Sequence, residues 1–255
     1  MTLQYEPVVV LLNGAGCEVG KVSALQFAAD GAHVILCDQE SDMLASIVQS
    51  IHDQGGQATV YFTDVTSPLE VAQMVNQIRE EHGSIDILVN NLTNHVKRAS
   101  KEQSFEYYTQ FFEDLLDSVA NVTSEVLPLM RARNYGRIIQ VLPGVIHVGE
   151  NGFPAYAAAQ SAIHKITYET AMQESSSGHN IVASILNPGV ILTELNPFFG
   201  EEPSSILPLL RTLATLPSGA PTGRMHTANI MDHQGQIYED QLFDDEEVDY
   251  MNEET

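Results

Sequence analysis

The residues able to do chemistry fall into a few groups. The first is a glycine-rich turn, Asn13-Gly14-Ala15-Gly16-Cys17-Glu18-Val19-Gly20, set between an apolar run and a helical stretch. Glycines let a backbone approach a pyrophosphate, and a helix start behind the turn adds positive dipole, so the arrangement suits phosphate binding. Asp38 ends the next apolar run, 24 residues after Gly14. A carboxylate there holds a ribose 2′-hydroxyl and favours NAD over NADP. Cys17 and Cys37 fall at the ends of what read as adjacent strands; two buried thiols are expected rather than a redox pair. Lys97, Arg98 and Lys101 form the basic cluster of the chain. It is expected as a solvated loop, with an anionic group such as a CoA phosphate as the alternative. His147 is expected in a loop after the fifth strand, with the substrate cleft as its alternative.

These groups need elements to position them. Short β-rich runs are expected at 8–12, 33–37, 58–62, 85–89, 137–142 and 181–186, and helices at 19–30, 41–54, 68–82, 104–133 and 155–176. Ser67 before Pro68 is a helix-start signal, and Gly31 and Gly55-Gly56 are stops. Strict alternation of strand and helix implies parallel βαβ units. The fold class is therefore α/β: a single doubly wound parallel sheet, Rossmann-like, with helices on both faces. Residues 1–240 are expected to form that domain and 241–255 an acidic tail. The Pro-rich stretch from Gly189 to about Arg224 reads as a mobile loop over the sheet. Gln236-Ile237-Tyr238 reads as a short last strand.

Further signs follow the strands in order. Asp64-Val65 comes after the third, Asn90-Asn91 after the fourth, and Gly136-Arg137-Ile138-Ile139 opens the fifth. Tyr156 lies early in the next helix, and Asn187-Pro188-Gly189 with Thr193 follows the sixth strand. In this order and spacing the chain resembles the short-chain dehydrogenase/reductase family, from residue 7 to about residue 195. The resemblance implies NAD over the glycine turn, with Gly14, Gly20, Asp38, Asp64, Val65, Asn90 and Thr193 at cofactor positions. It also implies a Tyr acid/base, a Lys one helical turn later that lowers the Tyr pKa, an upstream Ser, and an Asn in the long helix.

The departures from that pattern are as informative as the matches. Glu18 replaces the middle glycine of Gly-x-x-x-Gly-x-Gly. A carboxylate is comfortable at a helix start, but it is a steric block and a like charge for a dinucleotide. Leu92-Thr93 stand where the family has Ala-Gly. Tyr156 is kept, while Gln160 replaces the Lys, Pro143 the Ser and Leu115 the Asn. No Ser or Thr occurs from Arg137 to Glu150, and Asn121 is nearly two turns from Leu115. Lys165 lies about 180° around the helix from Tyr156, and His164 is two turns along. A phenol without a cation keeps a pKa of about 10 and is a poor base at neutral pH. Tyr156 is therefore expected to be a vestigial packing residue.

Composition excludes several classes. The 255 residues are 44% hydrophobic and 18% charged, which is a globular balance. Two cysteines leave no disulfide scaffold or four-cysteine zinc site; no metal is expected, and a reducing cytoplasm is. No apolar run is long enough to span a membrane. With 11 Lys+Arg against 34 Asp+Glu, the net charge of −23 argues against nucleic acid and anionic membrane surfaces. Nine of those acids lie in the last 17 residues, a solvated terminus or a tail for a basic partner. The expectation is a catalytically silent subunit that binds no cofactor itself. It would join an active NAD-dependent alcohol dehydrogenase homologue in a hetero-oligomer, a tetramer by family habit, with NAD in that partner and a hydroxyacyl-CoA thioester as its substrate. The helices 104–133 and 155–176 would make the contact, helped by Ala155, Ala157, Ala158, Ala159 and Ala162. The alternatives are an active oxidoreductase with atypical catalytic residues and a non-catalytic NAD-sensing regulator.

Overall fold

The computed structural model describes residues 8–39, 42–92, 104–142, 154–192 and 200–228. The strands are β1 (Val9–Asn13), β2 (His33–Asp38), β3 (Gln57–Phe62), β4 (Ile87–Asn90), β5 (Gly136–Val141), β6 (Ile181–Asn187) and β7 (Met225–Thr227). They form one seven-stranded sheet in the order β3-β2-β1-β4-β5-β6-β7, parallel at every pairing. This is the doubly wound sheet that the alternation implied. Its strand order reverses between β1 and β4, and such a switch point opens a crevice at the carboxyl ends of the strands.

Alternate residues of each strand serve opposite faces. Val10, Leu12, Val34 and Leu36 pack with α1 (Glu18–Ala29) and α2 (Asp42–Asp53) through Phe27, Leu44 and Ile47. Val9, Leu11, Ile35 and Leu88 pack with α3 (Pro68–His82) and the long helix through Val71, Ile78, Val122 and Val126. The long helix comprises α4 (Phe105–Phe111), a π-helical turn (Phe112–Asp117) and α5 (Ser118–Arg133). α6 (Pro154–Ser176) lies beside it. Arg131 of α5 places Nε 3.1 Å from both oxygens of the buried Glu174 carboxylate of α6, and His179 Nδ1 lies 2.8 Å from Oε2. Arg131, ahead of His179, holds that carboxyl below the usual range against the opposing pull of burial. The clamp fixes the two helices against each other.

Two expectations about the last part of the chain need correction or placing. The stretch 189–224 is not an irregular loop throughout. It contains a 3-10 turn (Pro203–Ile206) and α7 (Leu207–Ala214). The prolines that read as breakers sit in the first turns of these elements, where the missing N–H is not needed. Ile206, Leu210 and Leu213 then form a helical stripe buried in the same core as Phe27. Arg137 ties α7 to the sheet: its buried guanidinium donates to the Leu216, Gly136 and Asn180 carbonyls at 2.6–3.1 Å. The strand expected at 236–238 and the acidic tail lie outside the described residues. The last described strand is Met225–Thr227.

Candidate functional site

The glycine turn leaves β1 at the crevice and runs into α1. Gly14 has φ +81°, and a Cβ there would collide with the Asn91 carbonyl; at Gly20 a Cβ would press on the Ala15 backbone. Both glycines are thus demanded by the fold itself, one for the tight turn and one for close packing. Position 18, where a glycine would let phosphate approach, carries the half-buried Glu18 as the first residue of α1.

The polar groups of the turn are largely engaged within the chain. Asp38 Oδ2 accepts from the Gly16 N–H at 2.7 Å, and Oδ1 from the Gln39 N–H at 2.7 Å. Cys17 Sγ caps α1, accepting from the Gly20 N–H at 3.4 Å and from Asn91 Nδ2 at 3.1 Å. Asn91 Nδ2 also donates to the Gly14 carbonyl at 2.9 Å. Asn13 Nδ2 donates to Asn90 Oδ1 at 3.0 Å, and Asn90 Nδ2 to Thr123 Oγ1 at 3.3 Å. Asp64 accepts from the Thr66 N–H and hydroxyl at 3.0 and 2.6 Å. Gly14, Gly20, Asp38, Asp64, Val65 and Asn90 are therefore gathered at one end of the sheet; Thr193 lies outside the described residues. Glu18 stands where the family pattern has its middle glycine, and the Asp38 carboxylate, which the resemblance assigns to a ribose hydroxyl, accepts from the Gly16 N–H.

The catalytic positions lie where α6 faces the π-helical turn. Tyr156 is buried with Phe111, Leu115, Val119, Leu142, Ala159 and Ile163. Its ring meets Phe111 edge-on at 6.3 Å between centroids. Leu115, fully buried in the π turn, adds bulk at the Asn position, and Leu92 packs against the same cluster. Gln160 is also fully buried, and neither its Nε2 nor its Oε1 has a hydrogen-bond partner among the described residues. Lys165 is turned outward, 2.6 Å from Glu169 and 4.6 Å above the Tyr168 ring. Pro143 lies outside the described residues, as do His147, Lys97, Arg98 and Lys101.

The two thiols serve opposite cores. Cys37 is buried with Ile35 and Val71, and burial together with Asp38 pushes it up to about 12. Cys17 packs against the other core, and burial raises it too. Both are free. Asn121 has a different task from the one weighed for it: its Nδ2 donates to the Val65 and Thr66 carbonyls at 3.1 Å each, pinning the loop after β3. The contact between Asp38 and Gly16 was not legible, because only the fold brings β2's end over the turn. No group of three His, Cys, Asp or Glu among the described residues could hold a metal ion. Nor, among them, is any helix long and apolar enough to cross a membrane.

Comparison with known proteins places this crevice in a family. The short chain dehydrogenase family model matches residues 8–203, and the chain belongs to that family. It is 30% identical over 200 residues to the 3-oxoacyl-[acyl-carrier-protein] reductase FabG of Thermotoga maritima, covering 78% of this chain and 80% of that one. The oxidoreductase UcpA of Escherichia coli is 31% identical over 212 residues, covering 77% and 76%. Among solved structures, the L-sorbose reductase of Gluconobacter frateurii, complexed with NADPH and L-sorbose, superposes with a TM-score of 0.79. That match spans 89% of this chain and 97% of that one at 23% identity. Levodione reductase superposes at 0.80, covering 88% and 96% at 20% identity. Both likenesses concern the fold.

Proposed function

We propose that this short-chain dehydrogenase is a catalytically silent subunit that binds no NAD itself and completes a cytoplasmic complex with an active, NAD-dependent homologue. The carrying observation is Gln160, a neutral carboxamide sealed one turn from Tyr156 where the family pattern has a cation. Without that charge the phenol lacks the neighbour by which the family pattern lowers its pKa. Leu115 and Leu92 support the reading by filling the space around it. The outer faces of the long helix and α6 suit assembly: Phe105 is 82% exposed, Met172 46% and Ile166 38%, with Ala158 exposed between small neighbours. A less acidic partner would relieve the repulsion that a −23 chain meets in self-association. For the partner's substrate we propose a hydroxyacyl-CoA thioester of the 2-(hydroxybenzyl)succinyl-CoA type. The chain would then act as the inactive subunit of that dehydrogenase in anaerobic toluene degradation, a reading supported by the pattern of replaced residues and the acidity.

A second reading is favoured by the relatives, several of which bear reductase names: an active oxidoreductase using atypical residues. Calorimetric titration of the purified chain with NAD, followed by turnover assays on alcohols and ketones, separates the two. The silent reading expects neither binding in the low micromolar range nor turnover; either result removes it. Co-purification from the native host tests the complex. Ala158→Arg is expected to abolish recovery of the partner, and normal recovery would refute the helix contact.

A further inference from the structure

α3 closes onto the sheet through two histidines. His33 opens β2, and His82 ends α3. Their ring centroids lie 4.3 Å apart, with the ring planes tilted by 50°. His33 Nε2 lies 2.9 Å from the Thr59 hydroxyl of β3. His82 Nε2 is buried and has no hydrogen-bond partner among the described residues. The carboxylate beside the pair is Glu81: its Oε2 lies 3.7 Å from His82 Nε2 and accepts from the Tyr61 hydroxyl of β3 at 3.2 Å. Gly83 then caps the helix, its N–H bonded to the Arg79 carbonyl at 2.9 Å.

Two imidazoles this close can carry one proton between them but resist a second, because the two charges would face each other. The surroundings do little to relieve that repulsion. The Glu81 side chain is largely exposed, and the oxygen near His82 is already engaged by Tyr61. From α2, His52 adds another basic group, with its Nε2 3.3 Å from the Ala58 carbonyl. Arg79 and Glu80 of α3 are exposed to solvent. Just before β4, Asp86 is engaged by the Val9 N–H and by Arg133 of α5. We infer that the last turn of α3 is an acid-sensitive clasp: a second proton on the His33–His82 pair drives the rings apart and frees that turn from β2 and β3.

The rest of α3 is held by other contacts. Val71, Met74, Val75 and Ile78 are buried in one core with Ile35, and Asn121 pins the loop that leads into the helix. The release therefore stops at the turn after Ile78. Its direction with pH follows from the burial of the pair. Burial first, and His82 second, hold His33 below its usual value of 6.5, so the folded chain favours the neutral ring. The clasp's contribution to stability is complete above about pH 6.5 and is lost as the pH falls below it. Neither the glycine turn nor the Tyr156 pocket takes part, so the clasp stands apart from the silent-subunit reading.

The test is amide hydrogen exchange of the full chain, read by NMR as protection factors from pH 7.5 to pH 5.5. Protection at His82 and Gly83 should fall about tenfold, the change that one extra proton allows over one unit below the usual histidine value. Protection at Val122 and Val126 of α5 should hold, which separates a local release from general acid unfolding. His33→Gln and His82→Gln each remove the like-charge pair. Either should keep the last turn protected at pH 5.5, and each serves if the other does not fold. His52→Gln should leave the acid response in place. A fall of under about threefold in the wild type, an equal fall at Val122 and Val126, or an acid response kept in a folded His33→Gln or His82→Gln protein would each overturn the proposal.

Discussion

The glycine turn and the Tyr156 pocket are two halves of one crevice, and they carry their polar groups differently. In the turn, the Asp38 carboxylate accepts from the Gly16 N–H, and Cys17 Sγ from the Gly20 N–H and from Asn91 Nδ2, with Asn91 Oδ1 left without a partner among the described residues. In the pocket, Gln160 is fully buried and neither of its amide atoms has a partner among the described residues. The turn has thus become a structural joint, while the pocket holds a polar group at a net loss. The sign of a substitution's effect on stability should therefore reverse between them.

The largest effect is expected at Gly14. Alanine there must take a left-handed φ and push its Cβ into the Asn91 carbonyl, so Gly14→Ala should lose about 3 kcal/mol of unfolding free energy. Urea denaturation reads this directly, and a loss below about 1 kcal/mol would mean that the turn is looser than described. Next comes Asp38→Ala, which removes a charge-assisted acceptor from Gly16 and should cost about 2 kcal/mol. A stabilised Asp38→Ala protein would show instead that this carboxylate is held in place for a ligand.

The pocket should answer with the opposite sign. Gln160→Met keeps the length of the side chain and removes two unbonded polar atoms, so it should gain about 1 kcal/mol. A loss of that size would reveal a partner for the amide and bring the two halves of the crevice back into line.

These contrasts also mark how far the sequence could be read. The sheet was legible because its strands are apolar runs punctuated by Gly, Pro and helix caps; Ser67 and Pro68 open α3 as their types demand. α7 was missed because Pro203 and Pro208 resemble breakers unless the helix start is already known. In the site, the replaced residues Glu18, Leu115 and Gln160 stood out by position alone. What they touch did not, since Asp38 reaches Gly16 across 22 residues of chain and Asn121 reaches Val65 across 56. Contacts of that span are products of the tertiary fold, and neither local propensity nor periodicity encodes them.

The smallest effect is expected at Tyr156, and it bears most directly on what the pocket is for. In a working acid/base site the phenolic hydroxyl is the group that moves the proton, and removing it should reduce turnover by orders of magnitude. Here the ring packs edge-on against Phe111, with Leu115 and Ala159 in the same cluster, contacts that phenylalanine can keep. Lys165, the nearest lysine along the helix, is committed to Glu169 on the outer face. Tyr156→Phe in this chain should therefore leave the turnover of the proposed complex within about tenfold of the wild type, or about 1.4 kcal/mol of barrier. The measurement must be made on the complex, with the corresponding Tyr→Phe change in the active partner as the positive control. If the change in this chain alone lowers turnover as far as that control, the pocket is a second active centre. Its proton chemistry would then depend on a cation supplied from outside the residues described, and the contrast between turn and pocket would concern stability alone.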